Sequence, residues 1–400
     1  MDRLESKTFC FLQLLCSHPD RHPGRPGNRA ATELFATVAA ESGLVVESTE
    51  LDCVDWERGE TLLTVGDRRF GALPGPYSSP CDVSEPLTTA STVDELEAGE
   101  FAGTVLLLHG DLCREQLTPR DFPFYEMPGH GRILGALEAA RPAAVVAATG
   151  RNPELAGSAY PFPLIEDASV EIPNAYLTDV EGERLLPLTG RMATLRMDTR
   201  RIPARLQHVV ARARGTGDKR VVVFGHVDTK DGTPGALDNA TGAAALMTLA
   251  MLLRGYTGRH TVELLPLNGE DYYAATGEKR FVADNAGRWN EIALGLNADA
   301  AGWIGKPTEV SLYGCDEPTA KAVRASIGRR RAFVEGGPWY QSDHGILLQQ
   351  GIPAVAVTSS GIAELCATVA HTSRDSLDLV DVSAVAEVAR FYADVIASLP

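Results

Sequence analysis

The chain has 400 residues, 44% of them hydrophobic, and a formal net charge of −16 at pH 7. This length and composition predict a folded protein with one large α/β domain, or with a catalytic domain that carries a smaller one. The negative charge argues against binding to nucleic acid or to an anionic membrane, because both depend on positive fields, and it mildly favours neutral or cationic substrates.

The sequence predicts neither a membrane-spanning nor a secretory segment. Its longest apolar run, residues 243–253, is far shorter than the roughly 18 to 20 residues that cross a bilayer. The opening MDRLESKTFCFLQLLCSH carries acids where a signal peptide is cationic, and it predicts a helix of the fold. Seven cysteines without paired spacing or a C-x-x-C motif indicate reduced thiols, so we expect a cytoplasmic protein.

The first half of the chain predicts helices followed by a smaller inserted domain. Residues 4–42 predict helices broken at SHPDRHPGRPGN, and residues 43–51 alternate like a strand. The segment ALPGPYSSPCDVSEP, residues 72–86, is rich in proline and small polar residues and predicts a boundary outside the core. An α/β or β-rich domain is expected over residues 61–200. Its elements are strands at 103–110 and 143–149, a helix at 131–140 and a loop-rich return at 161–178.

From residue 206 onwards, buried strands alternate with amphipathic helices. The strands are predicted at 220–225, 260–268, 292–299, 310–314 and 352–360, and the helices at 240–253, 277–285, 318–327 and 382–398. This alternation predicts an α/β fold with a mixed, mostly parallel sheet and helices on both faces, a three-layer sandwich. The catalytic domain would be discontinuous, made of residues 1–60 and 201–400, with ligands at the carboxyl ends of its strands.

Polar side chains gather where this fold places a site, at the predicted strand ends and one helix start. They are His226, Asp228, Asp238, Glu270, Asp271, Asp299 and His371. Alone, Asp238 could be a helix N-cap, the acid pair 270–271 solvated surface, and each histidine a hydrogen-bonded loop residue. Asp299 is harder to explain, because a lone carboxylate among buried apolar residues is costly without a partner. Together, at one edge of one sheet, these residues indicate a metal site.

Two-metal hydrolysis is the chemistry that needs such a set. Imidazoles and carboxylates without thiolates favour Zn²⁺, with Co²⁺ or Mn²⁺ as substitutes. Two histidines and three carboxylates can hold two Zn²⁺ ions if one carboxylate bridges them, and the pair activates a shared water. A further carboxylate must take the proton from that water and pass it to the leaving amine. Glu270 can do this beside a ligand at Asp271, because successive residues of an extended chain point in different directions.

Six motifs occur in the order and spacing found in family M28 of zinc-dependent aminopeptidases, whose clan also contains glutamate carboxypeptidase and glutaminyl cyclase. They are FGHVDT, GALDNATGAAAL, NGED, NADAAG, SDHGILLQQGIPAVAVT and HTSRDSLDLVD. The sequence from residue 206 to residue 400 resembles this family, and RHPGRPGNRAATELF resembles the start of its catalytic domain. Residues 61–200 more loosely resemble the protease-associated domain that many members carry as an insert.

The resemblance implies a zinc-exopeptidase-like fold and a role for each candidate residue. It implies that His226 and Asp299 hold one zinc ion, that Asp271 and His371 hold the other, and that Asp238 bridges them. Glu270 matches the general acid and base of the family. The family usually has two glutamates where this chain has Glu270 and Asp271, so the second ion would have a shorter ligand and a weaker or different metal preference.

Four further residues are expected around these ligands. Asp228 would orient the imidazole of His226, or would simply be a turn residue. Tyr340 occupies a place from which some relatives donate a hydroxyl to the oxyanion, and packing is an equal alternative. Asp343, in the SDHG motif, is expected next to the ligands or the substrate. Asp375 is expected to cap the short helix after the ligand loop and to support the site only indirectly.

The leading function is a metal-dependent aminopeptidase that acts on short peptides, since an acidic chain suits an α-ammonium group. A carboxypeptidase or amidohydrolase would need cationic residues near the site, and GRRRAF, residues 328–333, is the candidate cluster, although a solvated helix end explains it better. Some carboxypeptidase relatives also place tyrosine where this chain has Ala370. A glutaminyl cyclase with one zinc ion, or a binding protein without catalysis, are further alternatives. A homodimer is compatible with the sequence.

Overall fold

The computed structural model describes residues 1–18, 20–124, 127–151 and 160–399. The α-helices in these ranges are α1 (Arg3–Cys16), α2 (Pro26–Glu41), α3 (Val93–Ala98), α4 (His130–Ala140), α5 (Asp179–Leu185), α6 (Thr241–Leu252), α7 (Thr276–Asn285), α8 (Glu317–Ile327), α9 (His344–Gln349), α10 (Ile362–Thr368) and α11 (Val382–Ser398). The strands are β1 (Val45–Val65), β2 (Arg68–Phe70), β3 (Ala72–Pro74), β4 (Cys81–Ala90), β5 (Val105–Leu108), β6 (Ala144–Thr149), β7 (Asn174–Thr178), β8 (Met192–Ala213), β9 (Arg220–Phe224), β10 (Thr261–Leu265), β11 (Ile292–Ala298), β12 (Thr308–Tyr313), β13 (Phe333–Glu335) and β14 (Ala354–Ser359).

The strands form one mixed sheet with the order β13-β12-β14-β11-β9-β10-β8-β4-β5-β6-β7-β3, and β1 pairs with β8 and β2. In its C-terminal half, β10, β9, β11 and β14 are parallel, while β8 and β12 join this group antiparallel at either side. The predicted mixed, mostly parallel sheet is therefore confirmed.

Strand β9 shows why helices cover both faces of this half. Its side chains alternate, so that Val221 and Val223 enter one hydrophobic core and Val222 and Phe224 enter another. The first core contains residues from α1, α2, α6 and α11, and the second contains residues from α7 and α9. A strand that is apolar on both sides can be buried only between two layers of helices, as the sequence predicted.

The N-terminal helices belong to this half of the molecule, as predicted. A capping box starts α1, because the carboxylate of Asp2 accepts the backbone N–H of Glu5 while the side chain of Glu5 accepts the N–H of Asp2. Phe11, Leu12 and Leu15 then enter the same core as α6 and α11. Helix α1 therefore packs against α6 and α11, the helices that follow Asp238 and His371 in the chain.

The smaller half has its own three layers. Strands β4, β5, β6 and β7 are parallel, with α3 and α4 against one face and α5 against the other. The long strands β1 and β8 pair from Val45 and Arg212 at one end to Val65 and Ala193 at the other. The boundaries expected at residues 60–61 and 200–201 lie inside these strands, so the two halves share a continuous antiparallel ribbon. The division into two domains stays a prediction.

Three details differ from the sequence predictions. The segment 72–86 is not outside the core, since Tyr77 is fully buried and residues 81–86 pair with β8. The strand expected at 43–51 continues to Val65 because β8 supplies a partner along its whole length. The expected loop-rich return includes β7, which pairs with β6. In each case pairing with a strand distant in sequence decided the structure, and local composition does not contain that information.

The cysteines are free thiols in this structure. Within the described residues, none of the helices combines the length and the apolar character needed to cross a bilayer.

Candidate metal centre

The candidate ligands converge at the carboxyl ends of the parallel strands. His226 lies two residues after β9, and Asp299 comes directly after β11. Asp271 lies in the loop between β10 and α7, Asp238 precedes α6, and His371 follows α10. The segments that carry these side chains therefore meet at the same rim of the sheet. This rim is the expected place for a ligand site in a sheet of this type.

Asp238 lies between the two histidines. Its Oδ1 is 3.2 Å from Nε2 of His226, and its Oδ2 is 3.1 Å from Nε2 of His371. Nε2 of His226 is 3.7 Å from Asp299, and Nε2 of His371 is 3.0 Å from Asp271. The geometry thus offers two adjacent donor sets that share one carboxylate, and in each set the donor atoms lie within 4.8 Å of one another.

Glu270 is close to the same donors. Its Oε2 is 3.8 Å from Nε2 of His226, and it forms a third compact set with His226 and Asp271. Distance alone therefore does not separate Glu270 from the ligands. Its separate role as acid and base is a matter for experiment.

The donor atoms fit a cation. Nε2 of His226 and Oδ2 of Asp271 are buried and lack a hydrogen-bond partner, which is costly for polar atoms unless something binds them. Imidazole nitrogens and carboxylate oxygens without thiolates are the donor types that suit zinc. The residues present therefore fit a zinc site.

The pKa shifts reflect the crowding of acids around two imidazoles. Burial alone would lower the pKa of His226, but the carboxylate of Glu270 and its other acidic neighbours raise it well above the usual value. Burial raises the pKa of Glu270 well above its usual value, and the carboxylates of Asp299 and Asp271 raise it further. A divalent cation among these groups would stabilise the ionised carboxylates and the neutral imidazoles instead.

Asp228 holds the backbone of the loop between β10 and α7, which carries Asp271. Its two carboxylate oxygens accept the backbone N–H groups of Gly269 and Asp271, at 2.9 and 3.1 Å. Its backbone oxygen is 3.2 Å from Nδ1 of His226, and its carboxylate is 3.6 Å from the same nitrogen. Asp228 therefore contacts the imidazole of His226, and it also connects β9 with the loop that carries Glu270.

Asp375 holds the backbone at Asp238, just before α6. Its carboxylate accepts the N–H groups of Leu237 and Asp238 at 2.7 and 3.0 Å. The short helix that follows has no side-chain cap, so the capping role predicted for Asp375 is wrong. Burial and the nearby charge of Asp238 raise the pKa of Asp375 to about 7. The alternative role of Asp238 as a helix N-cap does not occur, because Asn239 accepts the N–H of Gly242 instead.

Two buried contacts escaped the sequence analysis. Arg21 is fully buried and donates to the carbonyls of Val227, Pro234 and Gly235, so it holds both ends of the loop after β9. Ser342 donates to Asp299 at 2.7 Å. Arg21 lies in the SHPDRHPGRPGN segment, whose resemblance to the start of an M28 domain was the available signal.

The remaining predicted residues do not join the ligands. Tyr340 is 53% exposed and its ring contacts Tyr313, and it does not line the cavity over the metal centre. Asp343 is fully buried, precedes α9 and has no hydrogen-bond partner for either carboxylate oxygen. Burial raises its pKa well above the usual value. Asp343 does not line the cavity, but the charges of His226, Asp299 and Asp271 also influence its pKa, which places it near the candidate ligands.

A cavity of about 450 Å³ opens over the ligands. One wall is apolar and combines residues of both halves of the molecule, namely Leu117, Phe122, Met127, Trp339, Ile362 and Leu365. The arginine cluster at residues 328–333 does not line it, and Arg330 pairs with Glu387 and Asp394 of α11. The cluster is therefore not the carboxylate anchor that a carboxypeptidase would need.

Comparisons with known proteins agree with this architecture. Residues 208–396 match the family model described as peptidase family M28. A probable leucine aminopeptidase 2 from Aspergillus oryzae is 25% identical over 259 residues, which are 61% of this chain and 47% of that protein. The match therefore spans about half the length of this relative.

Solved structures resemble nearly the whole chain. The aminopeptidase from Aneurinibacillus sp. strain AM-1 has a TM-score of 0.77 at 18% identity, covering 98% of this chain and 92% of that one. BSAP, a zinc aminopeptidase from Bacillus subtilis, has a TM-score of 0.71 at 18% identity, covering 98% and 94%. A glutaminyl cyclase from Fimbriiglobus ruber has a TM-score of 0.55 at 13% identity, covering 100% and 97%. At these identities the similarity concerns the fold.

Proposed function

Because residues 208–396 belong to peptidase family M28, we propose that this chain is a zinc-dependent exopeptidase, an aminopeptidase that removes the N-terminal residue of short peptides. The observation that carries the proposal is the position of Asp238, with one carboxylate oxygen facing each of two histidines. A carboxylate in that position can bridge two ions, and this arrangement suits hydrolysis of an amide bond.

In this proposal, the two donor sets would hold two Zn²⁺ ions. His226 and Asp299 would bind one ion, His371 and Asp271 the other, and Asp238 would contribute to both. Bound zinc would lower the pKa of a water molecule towards neutrality and polarise the scissile carbonyl. Co²⁺ or Mn²⁺ could replace zinc at such ligands. The short side chain of Asp271 would make the second ion the more easily lost.

Glu270 carries the proton in the proposed reaction. Its Oε2 lies 3.8 Å from Nε2 of His226, so a carboxylate in this position could accept a proton from a water molecule at the ligands and release it again. It would take the proton from the attacking water and deliver it to the nitrogen of the leaving amine. Asp228 and Asp375 hold the backbone of the two ligand loops, which keeps Glu270 and Asp238 oriented towards the same space.

Metal analysis and two anilides test the proposal. We expect about two zinc ions per chain, hydrolysis of leucine p-nitroanilide, and no hydrolysis of its N-acetylated form, since a blocked amine removes the group that an aminopeptidase requires. Zinc-loaded protein that leaves both anilides and a panel of dipeptides intact would overturn it. One ion per chain together with cyclisation of an N-terminal glutamine would instead indicate a glutaminyl cyclase.

A further inference from the structure

Lys230 brings a positive charge into the cavity over the metal centre. It lies in the loop between β9 and α6, and among the described residues that line the cavity no other lysine or arginine occurs. Its side chain is 22% exposed, and its Nζ donates to Oε1 of Glu166 at 3.0 Å. A single lysine in a loop has no distinguishing pattern, so the sequence did not indicate this cationic group.

Glu166 fixes the position of that ammonium group. It is 6% exposed, and its second oxygen accepts the side-chain amide of Gln116 at 3.0 Å. Both oxygens of Glu166 therefore accept a hydrogen bond from the protein, and Glu166 itself also lines the cavity. Its contacts join the smaller half of the molecule, which carries Gln116 and Glu166, to the loop that carries Lys230.

The ammonium group of Lys230 has donors left for a ligand. An ammonium group carries three N–H donors, and one of them is used on Glu166. Burial alone would lower the pKa of Lys230, but the carboxylates of Glu166, Asp271 and Glu270 raise it above its usual value, so the group stays charged. Lys230 lines the same cavity as Asp271 and Glu270.

We propose that Lys230, held by Glu166 and Gln116, binds the free α-carboxylate of the substrate, so that the preferred substrates are dipeptides. This inference rests on the proposed aminopeptidase function and narrows its substrate class. The carboxylate of a dipeptide follows one residue, about 3.5 Å of chain, after the scissile bond. Lys230 and Glu270 line the same cavity, so a short substrate could contact both. The apolar wall formed by Leu117 and Phe122 can accommodate an apolar N-terminal side chain such as that of leucine.

The test compares Leu-Gly with Leu-Gly amide, which differ only in the carboxylate. We expect wild-type protein to prefer Leu-Gly by about 10-fold or more in kcat/KM, because a charge-assisted hydrogen bond in a partly buried site is lost with the amide. Lys230→Met should lower kcat/KM for Leu-Gly by about 10- to 100-fold and change the value for the amide by less than about 3-fold. Lys230→Arg should keep part of the preference, since it keeps the charge.

Two controls separate substrate binding from structural damage. Lys306→Met removes a lysine with a similar ion pair, to Glu364 at 2.7 Å, that does not line the cavity, and it should leave the preference unchanged. The double variant Lys230→Met with Glu166→Gln avoids a buried unpaired carboxylate and should behave as Lys230→Met does. The zinc content of each variant should equal that of wild type.

The outcomes distinguish this inference from the function on which it rests. Leucine p-nitroanilide has no carboxylate, so its hydrolysis reports the aminopeptidase activity alone. Hydrolysis of the anilide with equal kcat/KM for Leu-Gly and its amide would overturn the role of Lys230 and leave the activity standing. Failure to hydrolyse any of the three compounds would overturn the activity and the inference together. Equal losses for both dipeptides in Lys230→Met would show a purely structural lysine.

Discussion

Glu270 lies 3.8 Å from the ring nitrogen of His226 and is near enough to the other donors to be either a ligand or a proton carrier. The two roles predict different consequences of losing its charge. A ligand that is replaced by a neutral amide releases metal, whereas a proton carrier that is replaced leaves the metal bound and stops the reaction. The residue next to it, Asp271, lies 3.0 Å from Nε2 of His371, where the proposed second ion would bind.

Glu270→Gln should therefore lower kcat by about 10²- to 10⁴-fold and leave the zinc content unchanged. The amide keeps the size of the side chain but cannot exchange a proton at neutral pH. Stopped assays with leucine p-nitroanilide and elemental analysis of the same preparations measure both quantities. Glu364→Gln, on the exposed side of α10, is the matched control and should retain full activity. Loss of zinc in Glu270→Gln would make Glu270 a ligand.

At the scale of elements, two buried aspartates give the ligand loops their shape. Asp228 accepts two N–H groups of the loop after β10, and Asp375 accepts two N–H groups of the segment before α6. Hydrogen bonds to an ionised carboxylate are stronger than those between neutral groups. Irregular backbone next to a metal site is thus held by charged side chains from other elements, since it has no helix or sheet pairing of its own.

Asp228→Asn should weaken binding of the ion that Asp271 and His371 are proposed to hold by about 10- to 100-fold. The asparagine oxygen can accept one N–H group, while its amide faces the other and repels it. Competition for zinc against a chromophoric chelator gives the two dissociation constants. Asp231→Asn, three residues along the same loop, changes an aspartate that pairs with Arg25 at the surface and should leave both constants unchanged. Wild-type affinity in Asp228→Asn would exclude this positioning role.

At the scale of the whole molecule, the candidate metal centre joins elements that are distant in the chain. Its donors come from four loops, and the apolar wall of its cavity comes from both halves. Without a cation, buried carboxylates lie close together and oppose folding. Zinc that binds only the folded chain should stabilise it, by about 4 kcal/mol at a concentration 1,000 times the dissociation constant.

Removal of metal with a chelator should therefore lower the midpoint of thermal unfolding by several degrees, and added zinc should restore it. Differential scanning calorimetry measures this shift. Asp238→Ala removes the carboxylate that both donor sets share, and its midpoint should respond much less to zinc. An equal response in this variant would mean that the stabilising zinc binds elsewhere.

Much of the fold could be predicted from the sequence because, in the C-terminal half, local hydrophobic patterns indicate the strands and helices. Apolar runs such as those of β9 and β11 are buried on both faces. Of the helices between them, α6 is buried over nearly its whole length and α7 on one side only. The long pairing of β1 with β8 could not be predicted in this way. It depends on two segments more than 100 residues apart, and neither shows its partner in its own sequence.

The sequence by itself determined the types of residue at the site and their order along the chain. Acids and histidines after apolar strands indicated a metal site, and a motif series identified His226, Asp238, Asp271, Asp299 and His371. Tertiary structure alone decided what surrounds them. Asp375 accepts the backbone N–H of Asp238 instead of capping a helix, and Tyr340 is exposed to solvent. Lys230 lines the cavity and donates a hydrogen bond to the carboxylate of Glu166. The physical reason is that ligand type follows from side-chain chemistry, whereas hydrogen-bond partners and charge pairs follow from which distant segments pack together.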